Sequence, residues 1–131
     1  MRKKRPLPLL ERVEVSGAGA KGRGVAKGPD GRVIFIPFSA PGDIIDVQVT
    51  KKRRSHMEGR IVEIHEASDR RTTPKCIHFG VCGGCKWQHL DYKEQLAIKE
   101  ETVRNNLIRI GHIELPEVSP ILAAPEIYHY R

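Results

Sequence analysis

The sequence predicts a small, closed, OB-like β-barrel of five strands, followed by a cysteine-rich segment and one amphipathic α-helix. Three observations lead to this fold class. Strand-like patterns separated by glycine- and proline-rich turns recur between residues 9 and 66, all three cysteines fall within residues 76–85, and apolar residues at helical spacing follow as far as residue 110. Short strands at close intervals favour a barrel, because closure removes the exposed edges of a sheet.

The composition indicates a small basic module that meets a polyanion. The 131 residues include 23 Lys and Arg against 16 Asp and Glu, and residues 1–66 hold 14 of the basic and 8 of the acidic ones. This imbalance favours contact with nucleic acid. No apolar run approaches the length of a membrane span, and the basic start precedes too short an apolar stretch for a signal peptide. We expect a cytoplasmic monomer without a membrane partner.

The strand-like segments are predicted from alternation of polar and apolar residues and from the turns between them. Gly28-Pro29-Asp30-Gly31 is a turn signal that should join two of them as a hairpin. Val33–Ile36 is a continuous apolar run, which predicts a strand covered on both faces. The five predicted strands lie at Arg12–Val15, Val25–Lys27, Arg32–Phe38, Ile45–Thr50 and Glu58–Glu66.

The glycine-rich stretch between the first two strands has two interpretations. Gly17, Gly19, Gly22 and Gly24 resemble a phosphate-binding loop, but a dinucleotide fingerprint requires a helix directly afterwards, and here a strand follows. We therefore predict the bulges and corners of a barrel. The exposed amides of this turn would be flanked by Lys21 and Arg23.

The densest positive charge within the predicted barrel is the run Lys51-Lys52-Arg53-Arg54. It can be a solvated hairpin tip that discourages edge pairing, or a set of phosphate contacts. The second alternative is favoured if the basic N-terminal arm, the Lys21–Arg23 turn, Arg70 and Arg71 share one side of the molecule. The sequence does not fix which face each loop occupies.

The three cysteines are spaced as metal ligands. Cys82 and Cys85 enclose two glycines, and Cys76 precedes them by a short interval. An odd number of cysteines in a cytoplasmic chain favours metal or reactive thiols over disulfides. A zinc site would need His78 or His89 as its fourth ligand, and an iron–sulfur cluster would need another thiolate. The spacing leaves these two alternatives open.

A helix is predicted over residues 91–110. Asp91 is the expected N-cap, Glu94 would complete a capping box, and Gly111 is the expected C-cap. Its apolar stripe is formed by Tyr92, Leu96, Val103, Leu107 and Ile110.

The run PKCIHFGVCGGCKWQHLDYKEQLAIK, residues 74–99, resembles the signature of RNA uracil-5-methyltransferases of the bacterial 23S rRNA type. The segment Leu9–Glu66 resembles the TRAM domain of that family, a small RNA-binding barrel. The closing Tyr128–Arg131 is similar to the opening of the family's central region. The resemblance thus covers nearly the whole chain.

The resemblance implies a cofactor, an RNA partner and a separate catalytic domain. It makes Cys76, Cys82 and Cys85 three ligands of a [4Fe–4S] cluster whose fourth ligand lies outside this chain. It implies 23S rRNA as the partner, and it places S-adenosylmethionine, the nucleophilic cysteine and the general base in a catalytic domain that this chain lacks. The chain alone is therefore expected to be inactive, and to continue beyond its last residue. The alternative is a free-standing RNA-binding module with a structural zinc.

The predicted organisation has five segments: a basic arm (1–8), the barrel (9–66), the linker and cysteine segment (67–90), the helix (91–111) and the start of a central domain (112–131). Trp87 is a candidate for stacking on an unpaired base, although a tryptophan beside a cluster more often packs. The candidate RNA-binding residues are Lys21, Arg23, Lys51, Lys52, Arg53, Arg54 and Trp87.

Overall fold

The computed structural model describes residues 5–114 and 117–130, which divide into two compact units that meet in sequence at His89 and Leu90. The first unit contains the strands and the cysteine segment, and the second contains the helix. No helix among the described residues is long and apolar enough to cross a membrane. The elements are β1 (Leu9–Ala18), β2 (Gly24–Lys27), β3 (Val33–Ile36), β4 (Ile44–Lys52), β5 (His56–Glu66) and α1 (Tyr92–Asn105).

The five strands form a closed barrel in the order β1-β2-β3-β5-β4. All neighbouring pairs are antiparallel except β3 and β5, which run parallel. Alternate residues of each strand point inward and build one apolar core, as the period of a strand requires. The predicted closed barrel is therefore confirmed. The core residues are Val13, Val15, Ala26, Ile34, Ile36, Ile45, Val47, Val49 and Met57.

Strand β3 differs from its prediction in one respect that matters for function. Ile34 and Ile36 are completely buried, whereas Val33 is 37% exposed and Phe35 is only partly covered. The expectation of a strand covered on both faces was wrong, because a small barrel buries only the inner face of each strand. The apolar run continues outward because Phe35 has partners on the outer surface.

The glycine-rich stretch forms a bulge and a corner, as predicted. The pairing of β1 with β2 shifts register between Val15 and Gly17, which is a bulge. A short 3-10 turn follows at Ala20–Gly22, where Lys21 and Gly22 have φ values of 61° and 71°. The hairpin predicted across residues 28–31 is also present, since β2 pairs with β3 along its whole length.

Helix α1 begins where predicted but is capped differently. Asp91 is the N-cap, yet its side chain makes no capping hydrogen bond, so the predicted capping box is not formed. The backbone N–H groups of Glu94 and Gln95 instead donate to the Asp91 carbonyl. These two bonds close the first turn without the help of a side chain.

The helical segment ends at Ile110 with Gly111 as its C-cap, as predicted, but its last turn is not α-helical. The α-helix ends at Asn105 and continues as a π-helical turn, Asn106–Ile110. Gly111 closes this turn with φ −77°, and His112 takes the left-handed conformation that a C-cap glycine usually supplies.

The predicted apolar stripe is not a buried face among the described residues. Val103 is 52% exposed and Ile110 is 76% exposed, and the buried residue of α1 is Ile98. The chain after the helix contacts it through backbone N–H groups. The Ala124 N–H donates to the Tyr92 hydroxyl and the Ile121 N–H to Glu100.

Candidate nucleic-acid interface and cysteine segment

A row of side chains crosses the outer surface of the barrel on four adjacent strands. Val25 of β2 lies opposite Phe35 of β3, Phe35 is paired with Glu58 of β5, and Glu58 is paired with Lys51 of β4. Because the neighbours of Val25, Phe35 and Glu58 along their strands are buried, these three side chains face outward. Lys51 is itself exposed. Strand register thus places an aromatic ring, a carboxylate and a basic residue side by side.

Arg23 lies over this row. Its guanidinium carbon is 4.4 Å from the centroid of the Phe35 ring, a cation–π distance. Its Nη1 is 3.7 Å from Glu58 Oε1, and its side chain is 25% exposed. The His56 ring meets the edge of Phe35 with a centroid distance of 5.5 Å. Arg23 is therefore held from below by a ring and from the side by a carboxylate.

The run Lys51–Arg54 forms the tip of the β4–β5 hairpin, and all four residues are exposed. Lys51 Nζ is 3.4 Å from Glu58 Oε2, so the carboxylate that contacts Arg23 also contacts the tip. On the other side, Arg32 Nη1 donates to the Arg53 carbonyl at 2.8 Å. The structure therefore brings Arg23 and the hairpin tip together around Glu58, which the sequence did not reveal. We call Arg23, Phe35, Glu58 and residues 51–54 the basic face.

The glycine-rich turn contains Lys21 and is contacted by Trp87. Lys21 is exposed in the turn, two residues before Arg23. The Trp87 indole N–H donates to the Gly22 carbonyl at 3.0 Å. A Cβ on Gly22 would lie 2.6 Å from Lys86 Cβ, so the cysteine segment approaches the turn closely. Trp87 is partly buried in this contact, which favours its packing role over base stacking.

Arg71 lies in a structural ion pair, contrary to its expected place among the RNA-facing charges. Its Nη2 is 2.6 Å from Asp43 Oδ2, and the Asp43 side chain is completely buried. Burial by itself would raise the pKa of Asp43, but hydrogen bonds from Arg71 and from the Ser68 and Ala40 N–H groups outweigh it and hold the pKa below 3.8. The buried carboxylate was not foreseen; its signal was the Pro41-Gly42-Asp43 turn.

The three cysteines are free and exposed in the loop that follows the barrel. Gly80 and Gly83 take φ values of 93° and 76°, which turns this loop back on itself. The Cys76 N–H donates to the Gln88 side chain at 3.1 Å, so both ends of the loop are tied together. Iron–sulfur clusters are held by cysteine thiolates, so the three cysteines of this tight loop are chemically suited to be three of the ligands.

His89, one possible fourth ligand for zinc, is occupied elsewhere. It is 3% exposed, its Nε2 lies 3.1 Å from the Ser39 carbonyl, and its ring stacks on Phe79. Because a carbonyl only accepts, Nε2 carries the proton and the buried Nδ1 is left without a partner. Burial lowers the pKa of His89. This environment favours a neutral packing histidine.

Within residues 5–114 and 117–130, one trio of possible metal ligands has all its donor atoms within 4.8 Å, and it lies on the barrel: Asp46, Glu63 and His65. Asp46 Oδ1 already accepts from the Arg12 N–H at 2.9 Å and pairs with His65 Nε2 at 2.8 Å. The Arg12 N–H, more than His65, keeps the pKa of Asp46 low. The contact between Asp46 and His65 is therefore explained as a hydrogen bond that joins β4 and β5.

Comparison with known proteins matches the barrel to a named domain. Residues 11–62 match the TRAM domain. An "Uncharacterized RNA methyltransferase" of Bacteroides thetaiotaomicron is 49% identical over 112 residues, which is 86% of this chain and 24% of that protein. A "23S rRNA (uracil(1939)-C(5))-methyltransferase RlmD" of Xanthomonas euvesicatoria is 44% identical over 103 residues, 77% of this chain and 23% of that protein.

A solved structure is also similar. It is the tRNA (uracil-54, C5)-methyltransferase of Pyrococcus abyssi in complex with S-adenosyl-L-homocysteine, which shares 25% sequence identity over 73% of this chain and 21% of its own, with a TM-score of 0.45. The chain spans about a quarter of the length of the curated relatives that it matches. The match to the TRAM domain, residues 11–62, lies within the five-stranded closed barrel.

Proposed function

We propose that this chain is the N-terminal, RNA-engaging part of a cytoplasmic, S-adenosylmethionine-dependent 23S rRNA uracil-5-methyltransferase. The observation that carries the proposal is the TRAM barrel with its basic face, in a chain 44% identical to a protein named for that activity. Methyl transfer requires a nucleophile, a base and a methyl-donor site, which we assign to a catalytic domain outside these residues. The part played by this chain is to bind and orient RNA.

In this proposal the hairpin tip and the glycine-rich turn contact the RNA backbone. Lys51, Lys52, Arg53 and Arg54 are exposed, and Lys21 is exposed in the neighbouring turn. Basic groups that neutralise phosphates release condensed counterions, which supplies much of the affinity without reading sequence. Specificity for one uridine would then come from elsewhere in the enzyme.

The experiment compares two variants that lose the same charge. In the tip variant, Lys51, Lys52, Arg53 and Arg54 are replaced by Gln; in the helix control, Gln replaces Lys93, Lys99, Arg104 and Arg109 of the second unit. We expect the tip variant to bind a single-stranded rRNA segment on the order of a hundredfold more weakly than wild type. The helix control should keep most of the affinity. Equal affinities of the tip variant and wild type would overturn the proposal.

We further propose that Cys76, Cys82 and Cys85 are three ligands of a [4Fe–4S] cluster, with the fourth thiolate from outside the chain. Three free, exposed thiols on one loop and the family signature around them support this assignment. The cluster would supply a rigid link between loop and enzyme when bound. The contribution of this chain is to hold the loop against the barrel through Trp87.

A structural zinc is the competing assignment, and metal analysis separates the two. After anaerobic purification and reconstitution, we expect iron and sulfide to bind with little zinc, and the bound iron to be lost readily because one ligand is missing. Stoichiometric zinc without iron or sulfide would favour a free-standing RNA-binding module. Replacing Cys82 with Ser should abolish binding of either metal.

A further inference from the structure

We propose that the Arg23 guanidinium, supported by Phe35, is a stacking surface for one unpaired RNA base on the outer face of the barrel. The inference rests on the proposed RNA-binding function and deepens it, because it names a single-stranded nucleotide as what the basic face receives. The sequence alone does not single out Phe35 or Glu58 as a binding residue.

The first support is the fixed position of Arg23. Its guanidinium carbon lies 4.4 Å above the Phe35 ring, and Glu58 Oε1 holds it laterally at 3.7 Å. An arginine on a strand surface ordinarily samples many rotamers, and binding would have to order it at an entropic cost. Here two contacts have already restricted the side chain, so a ligand meets a guanidinium that is largely pre-organised.

The second support is that the site remains accessible. The Arg23 side chain is 25% exposed, and Phe35 is partly covered. The edges of the ring are flanked by His56 and by the turn at Gly19, where an added Cβ would lie 3.5 Å from Phe35 Cε1. The ring is therefore enclosed at its edges and covered on its face by Arg23. The exposed part of the Arg23 side chain is the surface offered to a ligand.

The chemistry of a planar, weakly hydrated cation suits a nucleobase. Arginine guanidinium groups stack on bases as aromatic rings do, and sheet-based RNA-binding modules place such groups on an exposed sheet face. The bases of a duplex are already stacked on one another and cannot enter such a site. An unpaired nucleotide can do so, while the neighbouring tip at Lys51 binds its flanking phosphates.

Charge complementarity points to the same partner. Glu58 is the acidic member of the row, and it is shared by Arg23, Lys51 and His56. Lys51 and Lys52 of the tip end β4, and Arg53 and Arg54 follow it directly. A polyanion with projecting planar groups matches this surface. An acidic peptide would match the charge but would place no planar group on the Arg23 guanidinium.

The test is the substitution Arg23→Lys, which keeps the positive charge and removes the plane. Its matched control is Arg104→Lys on α1. Affinity is measured for a single-stranded RNA and for a duplex of the same length. We expect Arg23→Lys to lose about 5- to 100-fold for the single strand, the range measured for one stacked base. The duplex affinity of Arg23→Lys should change less than about twofold, and the control should match wild type on both RNAs.

A second variant separates stacking from charge. Phe35→Leu keeps every charge, and because Phe35 is on the outer face it leaves the core intact. We expect it to weaken single-strand binding severalfold with an unchanged salt dependence. Unchanged single-strand affinity in Arg23→Lys, or equal losses on both RNAs, would overturn the stacking site. The proposed function would still hold after that result if the tip variant bound RNA more weakly than wild type. It would be refuted if the tip variant bound RNA as tightly as wild type.

Discussion

His89 illustrates how a single buried side chain couples the linker to the barrel. Its Nε2 donates to the Ser39 carbonyl, and its ring contacts the rings of Phe38 and Phe79. The neutral form is the one that fits, because burial lowers the pKa of the ring below 6.5. The unfolded chain therefore binds more protons than the folded chain just below that pH. The stability that neutral His89 contributes is fully present above about pH 6.5 and is lost as the pH falls.

The corresponding prediction is a pH-dependent free energy of unfolding. The free energy of unfolding of the wild type, measured with urea, should decrease between pH 7.5 and pH 5.5. His89→Gln should lack this decrease, because Gln keeps a donor but does not titrate. His112→Asn is the control, since His112 is exposed and Asn tolerates its left-handed φ of 52°. An identical pH dependence in wild type and His89→Gln would show that His89 does not titrate with folding.

Asp43 and Arg71 form the second residue-scale contact between barrel and linker. Replacing Arg71 with Gln leaves a carboxylate of zero exposure without its cation. We expect a loss of about 3–5 kcal/mol in the free energy of unfolding, as for other broken buried pairs. Arg70→Gln, at the exposed neighbouring position, should cost less than about 1 kcal/mol. Chemical denaturation at pH 7 measures both, and equal effects would refute the structural role of Arg71.

At the scale of elements, the close approach of the cysteine segment to the glycine-rich turn is the feature to test. Gly22→Ala adds a Cβ 2.6 Å from Lys86 Cβ at a residue with φ +71°. Trp87, the only tryptophan, donates to the Gly22 carbonyl and should move toward solvent. We expect a red shift of tryptophan fluorescence and a destabilisation of about 1–3 kcal/mol.

The matched control is Gly31→Ala. Gly31 has φ +84°, but an added Cβ there meets nothing within 4 Å. It should carry a similar backbone cost and leave the tryptophan emission unchanged. A fluorescence change of the same size in both variants would show that backbone strain, rather than contact with the cysteine segment, controls Trp87.

Local pattern was enough to predict the strands but not the surface they build. The turn at residues 28–31 and the alternation in β4 and β5 follow from short-range chemistry, so hairpins and core were predictable. The meeting of Arg23, Phe35 and Glu58 depends on the register of β2, β3 and β5, which the sequence leaves open. The parallel pairing of β3 with β5 has no local signal at all.

The ends of the helix and the fate of individual charges were predicted less well for related reasons. Asp91 was correctly identified as the N-cap, yet backbone bonds replaced the capping box. Arg71 looked like one more basic residue because nothing near it in sequence shows that Asp43 is buried beside it. Tertiary burial decides whether a charge is a surface contact or an anchor, and that information is not local.

At the scale of the whole molecule, the positive charge of the barrel is densest at its basic face and the adjoining glycine-rich turn. The net charge is +7 over 131 residues, and the four residues of the hairpin tip together with Lys21 and Arg23 form its densest part on the barrel. Exposed cations of this kind attract RNA over about a Debye length and bind it in a salt-dependent way. We therefore expect this surface to bind RNA electrostatically.

The salt dependence of RNA affinity tests that claim most directly. If Lys21 and the four basic side chains of the tip each neutralise one phosphate of a single strand, log K should fall with log[salt] at a slope of about −3.5. The tip variant, which retains only Lys21 of these five, should show a slope of about −0.7. A wild-type slope near zero, or equal slopes for wild type and tip variant, would contradict the account.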